Sequence, residues 1–289
     1  MPDNSCPLME FLTADPGWKA GRILDVRPAE SFLAGHLKGA VSHPLGNQCP
    51  SEEVPSILLP PRHEPLLVVG EADQRFPGLA RELESRGRVS VTAVEISEQL
   101  IAALPGDMAA AGPDRGHLWA APPWLEDYLE MLPPAAKGRV LDLGCGSGRA
   151  MVFLAERGYR VTGLDWQPEA LELGRQLALA RKVECDFRLA DLRKPDLVPP
   201  GPWAVILNFR YLQRELLGHF HALLQPGGTA LVRTFRDSSG YQGHPHPRHR
   251  LQRGELLKYF PRGQFEVLAH EQGFDPDGRP ASGIVARKI

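Results

Sequence analysis

Short apolar runs alternate along the chain with longer amphipathic segments, and turn residues separate them. In the first part of the chain, apolar runs at 22–26, 66–69 and 89–94 predict strands, and residues 76–86 predict a helix. The alternation then restarts on a longer scale. The strands predicted there are 139–143, 160–165, 186–189, 203–208 and 229–234, and the helices are 149–157, 168–181 and 214–224. This pattern favours two α/β units, the second a doubly wound sheet with ligands expected at the carboxyl ends of its strands.

The segment 105–118 separates the two parts, because it is rich in turn formers and small residues and has no sustained apolar period. We therefore predict a small domain at 1–104, a linker at 105–118 and a second domain at 119–289. The first 112 residues carry 9 basic and 15 acidic side chains, net −6, and the rest carry 24 and 20, net +4. The total formal charge of −2 excludes a uniformly basic nucleic-acid binder.

No apolar run approaches the roughly 20 residues that a membrane-spanning helix needs, and the acidic N-terminal residues are unlike a signal peptide. We therefore expect a cytoplasmic protein without a membrane partner. The four cysteines, Cys6, Cys49, Cys145 and Cys185, form no C-x-x-C pair. Neither a disulfide framework nor a metal site is predicted.

The glycine-rich segment 142–148 follows a predicted buried strand and precedes a helix. Its pattern is D-x-G-x-G-x-G, formed by Asp142, Gly144, Gly146 and Gly148, with Cys145 inside the turn. A dinucleotide fingerprint, G-x-G-x-x-G, would need a glycine where Arg149 stands. An acid before the turn repels a pyrophosphate but accepts hydrogen bonds from an ammonium group. The pattern therefore favours a ligand with an amino-acid moiety.

Two further carboxylates follow neighbouring predicted strands. Asp165 ends the second strand, at the position where a ribose diol would lie. Asp191 follows the third strand, where it could accept a hydrogen bond from an adenine amine, with Leu192 against one face of the ring and Trp166 against the other. The alternative interpretation is that the glycines only close a turn and the carboxylates only cap helices.

These residues resemble those of the class I S-adenosylmethionine-dependent methyltransferases. The motifs are V-L-D-L-G-C-G-S-G at 140–148, V-T-G-L-D at 161–165, A-D-L at 190–192 and L-L-Q-P-G-G-T-A-L-V at 223–232. The resemblance implies a Rossmann-like, seven-stranded domain that binds S-adenosylmethionine. The residues that it implies as cofactor contacts are Asp142, Gly144, Cys145, Gly146, Gly148, Asp165, Trp166, Asp191, Leu192 and Asn208.

Within that superfamily, the chain looks most like the tellurite-resistance methyltransferases. The features are Trp119-x-x-x-Pro123, N-F-R-Y-L at 208–212 and G-E-L-L at 254–257. Those enzymes have a Gly-x-Pro-x-Asn-Pro run in a late insert, whereas this chain has G-H-P-H-P-R at 243–248. The resemblance therefore does not carry tellurite over as the substrate.

Methyl transfer from a sulfonium is an in-line displacement that needs alignment more than a fixed catalytic group. Candidates near the reacting atoms are Asn208, Arg210, Tyr211 and His244. The segment 233–262 has seven basic residues against two acids, and Tyr211, Arg233, Arg236 and Arg248 are candidate substrate contacts. We expect a basic lid over a small acceptor that is anionic or a soft nucleophile, a thiol, chalcogen or amine; the alternative is a solvated loop.

The first part resembles the rhodanese fold family through the run I-L-D-V-R-P-x-x-S-F-x-x-G-H-L-x-G-A at 23–40. In that family a cysteine follows the strand that corresponds to 66–69, and Gly70 stands there instead. The family's loop arginine corresponds to Arg75. The resemblance implies a small α/β domain without sulfurtransferase activity, with a docking, regulatory or pocket-forming role.

Two other functions stay open on the sequence. One is methylation of RNA or protein, which the basic insert favours but the rest of the chain does not, so that a nucleic-acid partner is not expected. The other is a non-catalytic regulator that binds S-adenosylmethionine. The sequence does not predict an oligomeric state.

Overall fold

In the computed structural model, the described residues are 22–46, 54, 56–62, 64–71, 76–113 and 116–289. The chain divides into two compact units, Met1–Ala120 and Ala121–Ile289. Cys6, Cys49 and Arg75 lie outside the described residues. None of the described helices is both long enough and apolar enough to cross a membrane.

The first unit contains a parallel sheet in the order β3-β1-β4-β5 and a separate antiparallel pair, β2 with β6. Its strands are β1 Ile23–Asp25, β2 His36–Leu37, β3 Ala40–Ser42, β4 Leu66–Gly70, β5 Val91–Glu95 and β6 Ala109–Ala110. Its helices are α1 Ala29–Ala34, α2 Phe76–Ser85 and α3 Glu98–Ala103, with a 3-10 turn at Ser56–Leu58. The predicted strands 22–26, 66–69 and 89–94 and the predicted helix 76–86 correspond to β1, β4, β5 and α2.

The two central strands, β1 and β4, are buried along their whole length, as expected where a parallel sheet is covered on both faces. Leu24 and Val68 pack in one cluster and Ile23 and Leu67 in another, as the alternation of side chains along a strand requires. The segment predicted as a linker contributes to this unit, since β6 lies within it and Leu118 is buried in the first cluster.

The second unit contains a seven-stranded sheet in the order β12-β13-β11-β10-β7-β8-β9. Its strands are β7 Arg139–Leu143, β8 Arg160–Asp165, β9 Asp186–Leu189, β10 Trp203–Phe209, β11 Leu224–Phe235, β12 Phe265–Phe274 and β13 Pro280–Lys288. Its helices are α4 Pro123–Asp127, α5 Arg149–Ala155, α6 Pro168–Ala180, α7 Arg214–Gly218 and α8 Phe220–Leu223. Its 3-10 turns are Leu129–Met131, Ala135–Lys137, Pro195–Leu197, Pro247–His249 and Leu256–Tyr259.

The prediction of an α/β protein with a seven-stranded second sheet is confirmed. The predicted helix 214–224 differs, because it is divided into α7 and α8 at His219. The amide of His219 donates to Leu216 O, three residues back, at 3.0 Å, which tightens the last turn of α7 and ends it. Strand β11 also begins earlier than predicted, at Leu224.

The strands β11, β10, β7, β8 and β9 are parallel, and β13 pairs antiparallel with both β11 and β12. The chain runs outward from β7 through β8 to β9 and then returns to β10 on the other side of β7. Such a change of direction opens a crevice at the carboxyl ends of the two central strands. The fold therefore places a ligand site where β7 and β10 end.

Candidate ligand-binding site

A cavity of about 320 Å³ lies at this edge of the second sheet. The segments that follow β7, β8 and β10 line it, together with Pro122 ahead of α4. The predicted residues that line it are Asp142, Gly144, Cys145, Gly146, Asp165, Trp166, Leu192, Arg210 and Tyr211. The structure thus brings together residues from four separate parts of the sequence.

The glycine turn after β7 leaves room for a ligand beside the backbone. Gly144 has φ +78°, and a Cβ there would lie 2.8 Å from the Cβ of Tyr211, so the turn and the segment after β10 approach too closely for a side chain. Gly146 has φ +52°, and a Cβ there would have no other atom within 4 Å. The space beside Gly146 is therefore open to the cavity.

Asp165, at the end of β8, is fixed by two backbone amides. Its Oδ2 accepts from Gly146 N at 2.8 Å and its Oδ1 accepts from Gln167 N at 3.0 Å. The first bond connects the end of β8 to the glycine turn. Because both bonds come from the rigid backbone, the carboxylate has a defined orientation at the cavity wall.

Asp142 is 2% exposed, lines the cavity and receives no hydrogen bond from any of the described residues. Burial, and secondarily the nearby charge of Asp165, raise the pKa of Asp142 to about 8. A buried carboxylate without a donor is costly unless a cation or a donor reaches it from the cavity. This position is thus built to receive a positively charged or hydrogen-bond-donating group.

Cys145 lies in the glycine turn but has no features of a nucleophile. Burial, followed by the charges of Asp142 and Asp165, raises the pKa of its thiol well above the usual range. The thiol is therefore protonated at neutral pH and unreactive. Cys185 does not line this cavity, and burial raises its pKa to about 12.

The segment after β10 forms the opposite wall. Phe209, Arg210 and Tyr211 line the cavity, and burial raises the pKa of the Tyr211 hydroxyl. Asn208 is 1% exposed and does not line the cavity; its Nδ2 donates to Leu143 O at 2.8 Å, which ties β10 to the end of β7. Asn208 thus supports the turn from behind.

Arg210 is held at its backbone and at its guanidinium. Its φ of +57° is left-handed, an uncommon conformation for a residue with a Cβ, and its amide donates to Arg233 O at 2.8 Å. Its Nη2 lies 2.8 Å from Asp277 and 3.3 Å from Asp275, both in the turn between β12 and β13. Strained backbone of this kind is often found at ligand sites.

Several predicted site residues do not line the cavity: Gly148, Asp191, Asn208, Arg233, Arg236, His244 and Arg248. Asp191 is paired with Arg193 at 2.8 Å. Arg233 is paired with Asp275 at 2.7 Å, and Arg248 donates to the ring of the neighbouring His249. Arg233 and Arg248 are therefore engaged by neighbours within the protein.

Arg250 organises the insert, a role that the charge pattern of the sequence does not reveal. It is 3% exposed, and its guanidinium donates to the carbonyls of Tyr241, Gly243 and Pro245 and to Asp237. A buried guanidinium that satisfies several loop carbonyls stabilises one loop conformation. A charge count along the sequence cannot distinguish such a buried arginine from a solvated one.

Six cavity residues were not singled out from the sequence: Pro122, Ser147, Arg149, Ala150, Gln167 and Phe209. All except Pro122 are next to, or within two residues of, a residue that was. Extending each motif by two residues on either side would have included these five. Among the described residues, no group of three or more His, Cys, Asp or Glu side chains is arranged to hold a metal ion.

Residues 116–277 match a family model described as a methyltransferase domain. The uncharacterized protein UNK4.09 of Schizosaccharomyces pombe is 26% identical over 330 aligned positions, which cover 93% of this chain and 94% of that protein. The ubiquinone biosynthesis O-methyltransferase of Xylella fastidiosa is 30% identical over 113 residues, which cover 37% of this chain and 46% of that protein. The crystal structure of TehB from Haemophilus influenzae aligns at 21% identity with a TM-score of 0.48, covering 57% of this chain and 61% of that one. The chain thus spans about half the length of the ubiquinone biosynthesis enzyme.

Proposed function

This chain belongs to the family of methyltransferase domains, and we propose that its second unit transfers the methyl group of S-adenosylmethionine to a small acceptor. The family match confirms the prediction of a methyltransferase. The cofactor, the acceptor and the role of the first unit are our proposals. The observation that carries the proposal is Asp142, a buried acid whose carboxylate receives no hydrogen bond from the described part of the chain and which lines the same cavity as the open position at Gly146.

The residues of the cavity fit the chemical groups of S-adenosylmethionine. Asp142 offers a buried carboxylate to the ammonium group, and a cation there would offset the cost of its burial. Asp165, oriented by two amides, would accept hydrogen bonds from a ribose diol. Leu192 and Trp166 provide apolar surfaces for an adenine ring, and Trp166 is 61% exposed. Asp191, paired with Arg193, is left out of this assignment.

Bound S-adenosylmethionine supplies a methyl group on a positively charged sulfur. The chain then has to align the acceptor and exclude water, which requires no fixed covalent nucleophile. Pro122, Phe209 and Tyr211 provide apolar and aromatic surface in the same cavity. Tyr211, whose hydroxyl stays protonated, donates a hydrogen bond to the acceptor in this proposal.

The acceptor that we propose is a small anionic or soft nucleophile, a thiol, chalcogen or amine. Arg210 is a positively charged group on the cavity wall. An RNA or protein substrate would call for a continuous free basic surface. The burial of Arg250 and the pairing of Arg233 with Asp275 reduce the free charge of the insert and favour the small acceptor.

We propose that the first unit is a rhodanese-like domain without sulfurtransferase activity. Its parallel four-stranded sheet supports this, as does the buried pair of Asp25 and Arg27 at 2.7 Å. A Cβ on Gly70, at the position of the family's cysteine, would lie 2.7 Å from Cε2 of Phe76. The ring occupies the space that a nucleophilic side chain needs. A docking or regulatory role accordingly remains for this unit.

Calorimetry with S-adenosylhomocysteine tests the cofactor assignment. We expect binding by the wild type and a Kd about tenfold or more higher for Asp165→Ala, because two of the cavity's oriented acceptor atoms are lost. Asp196→Asn, which removes an exposed carboxylate that does not line the cavity, is the matched control. No binding by the wild type, or equal Kd values for both variants, would contradict the assignment.

Turnover distinguishes the methyltransferase from a regulator that only binds the cofactor. Radiolabelled methyl transfer should be measured with a panel of thiols, selenols, tellurite, amines and phenols, and separately with total RNA. We expect transfer to a small acceptor and none to RNA. Cofactor binding without transfer to any acceptor would favour the regulator instead.

A further inference from the structure

Five charged side chains with alternating signs form a row beside the cavity. Their order is Arg233, Asp275, Arg210, Asp277 and Arg279, and the successive ion-pair distances are 2.7, 3.3, 2.8 and 2.5 Å. The two aspartates and Arg279 belong to the β12–β13 turn, Arg233 to β11 and Arg210 to the segment after β10. We call this set the charge row.

The two outer arginines of the charge row are held by aromatic rings. The guanidinium of Arg233 lies 4.8 Å from the ring centre of Trp124, and that of Arg279 lies 4.9 Å from that of Phe235. Such contacts add to the ion pairs and restrict the side chains. The ends of the row are therefore fixed independently of any ligand.

The two carboxylates between the arginines are largely buried, with 7% and 18% of the side chains of Asp275 and Asp277 exposed. Burial alone would raise the pKa of Asp277, but hydrogen bonds from Arg279 and the charge of Arg210 outweigh it and hold that pKa at about 2. Asp277 therefore stays ionised at any pH at which the protein is assayed, and it orients the guanidinium between it and Asp275.

Arg210 differs from the outer arginines because it lines the cavity and 46% of its side chain is exposed. Three arginines and two aspartates leave the charge row with one positive charge in excess. Arg210 is the member of the row that can present that charge to a ligand. A guanidinium that is already held in place loses little side-chain entropy on binding an anion.

We infer that Asp275 and Asp277 are positioning residues that hold the Arg210 guanidinium at the cavity wall, where it binds a carboxylate or another oxyanion of the acceptor. The inference rests on the proposed function, because it concerns the acceptor subsite of the same cavity. It assigns the recognition of the anion to Arg210 rather than to the basic insert. The nucleophilic atom belongs to another part of the acceptor.

The test measures anion binding to full-length protein saturated with S-adenosylhomocysteine, using benzoate and inorganic phosphate as probes in NMR titrations. We expect the wild type to bind at least one of the two, and Arg210→Gln to raise that Kd about tenfold. Arg248→Gln, an exposed insert arginine outside the cavity, should leave it unchanged. Binding of benzoate alone identifies a carboxylate subsite, and binding of phosphate alone identifies a tetrahedral oxyanion subsite.

The variant Asp277→Asn distinguishes two effects of Asp277 on anion binding: its orientation of the Arg210 guanidinium and its negative charge. Removing a negative charge beside Arg210 should tighten anion binding if only charge matters, whereas loss of orientation should weaken it. We expect a Kd several-fold higher, with most of the affinity recovered in Asp277→Glu. Tighter binding in Asp277→Asn, an unchanged Kd in Arg210→Gln, or no binding of either anion to the wild type would overturn the inference.

The Kd for S-adenosylhomocysteine, measured on each variant, keeps the two proposals apart and shows that the variants are folded. If the wild type does not bind S-adenosylhomocysteine, the proposed function itself fails. If all variants bind it normally and the anions do not respond to Arg210, only the role of the charge row fails.

Discussion

Each unit of the molecule places a glycine at the carboxyl edge of a parallel sheet, but the surroundings of the two glycines are opposite. Gly70 ends β4 of the first unit, and the ring of Phe76 occupies the position of a Cβ there. Gly146 follows β7 of the second unit, and no atom lies within 4 Å of a Cβ there. The space beside the glycine is thus occupied by a side chain in the first unit and free of protein atoms in the second. The neighbouring side chains, rather than the fold, decide whether the backbone at each of these glycines is open to a ligand.

Ligand binding at the carboxyl edge of the second sheet should depend most strongly on Asp142. We expect Asp142→Asn to raise the Kd for S-adenosylhomocysteine about 100-fold, because the amide cannot pair with an ammonium group as a carboxylate does. The wild-type affinity should rise from pH 6 to 8 and then level off, since binding a cation requires Asp142, with its pKa of about 8, to lose its proton. Calorimetry across this range measures both effects. A flat wild-type profile would contradict the role of Asp142.

The same variant measures how much the burial of the ionised Asp142 carboxylate lowers the stability of the protein. The pKa of Asp142 in the folded protein lies above its ordinary value of 3.8, so the folded state binds this proton more tightly than the unfolded state. The stabilisation is fully present below about pH 4 and is lost as the pH rises towards 8. In the absence of ligand, the free energy of unfolding of Asp142→Asn should therefore be higher than that of the wild type by roughly 1–3 kcal/mol at pH 8. At pH 4 the two free energies should be equal. Urea denaturation at the two pH values checks this, and lower stability of the variant at pH 8 would argue against it.

A matched pair of alanine substitutions compares the two glycines directly. Gly70→Ala should destabilise the first unit by roughly 1–3 kcal/mol, because the new methyl group overlaps the Phe76 ring. The effect should be smaller in a Phe76→Leu background. Gly146→Ala should cost about 1 kcal/mol through its left-handed backbone and should weaken cofactor binding. Hydrogen exchange of β4 and β7 amides reports each unit separately; equal effects of Gly70→Ala in both backgrounds would show that the ring is not the cause.

The smallest effect concerns the backbone of Arg210. Because its φ is +57°, Arg210→Gly should be more stable than Arg210→Ala by about 0.5–1 kcal/mol, although both lose the guanidinium. Thermal denaturation of the two variants tests this. A more stable alanine variant would show that the left-handed conformation is not retained in the absence of the ion pairs.

The sequence predicted the parts of the structure that depend on local patterns. Strands β7, β8 and β9 have the predicted bounds, because a buried strand between turn residues is an unambiguous pattern. The glycine turn and Asp165 came together as expected, since the carboxyl ends of adjacent parallel strands meet at one edge. These are short-range features joined by a topological rule.

Pairings between distant segments were not predictable in the same way. Arg210 and Asp277 are 67 positions apart, and they meet because the β12–β13 turn lies at the same edge of the sheet as the end of β10, with β11 between the two hairpin strands and β10. The basic insert was predicted to cover the acceptor, yet Arg250 is buried among the carbonyls of its own loop. A count of charges along the sequence does not show which groups each arginine contacts in the folded protein. Those contacts decide whether an arginine faces a ligand or stabilises a loop.

The order of strands in the second sheet has a consequence for folding. Strand β12 is at the edge, and β13, which follows it in the chain, lies between β12 and β11. During synthesis, β12 therefore has no neighbour to pair with until β13 has emerged and docked. Asp275 and Asp277 lie between these two strands, so they can reach Arg210 only after that event. The ion pairs of Arg210 with Asp275 and Asp277 therefore form only after the last two strands of the sheet have paired.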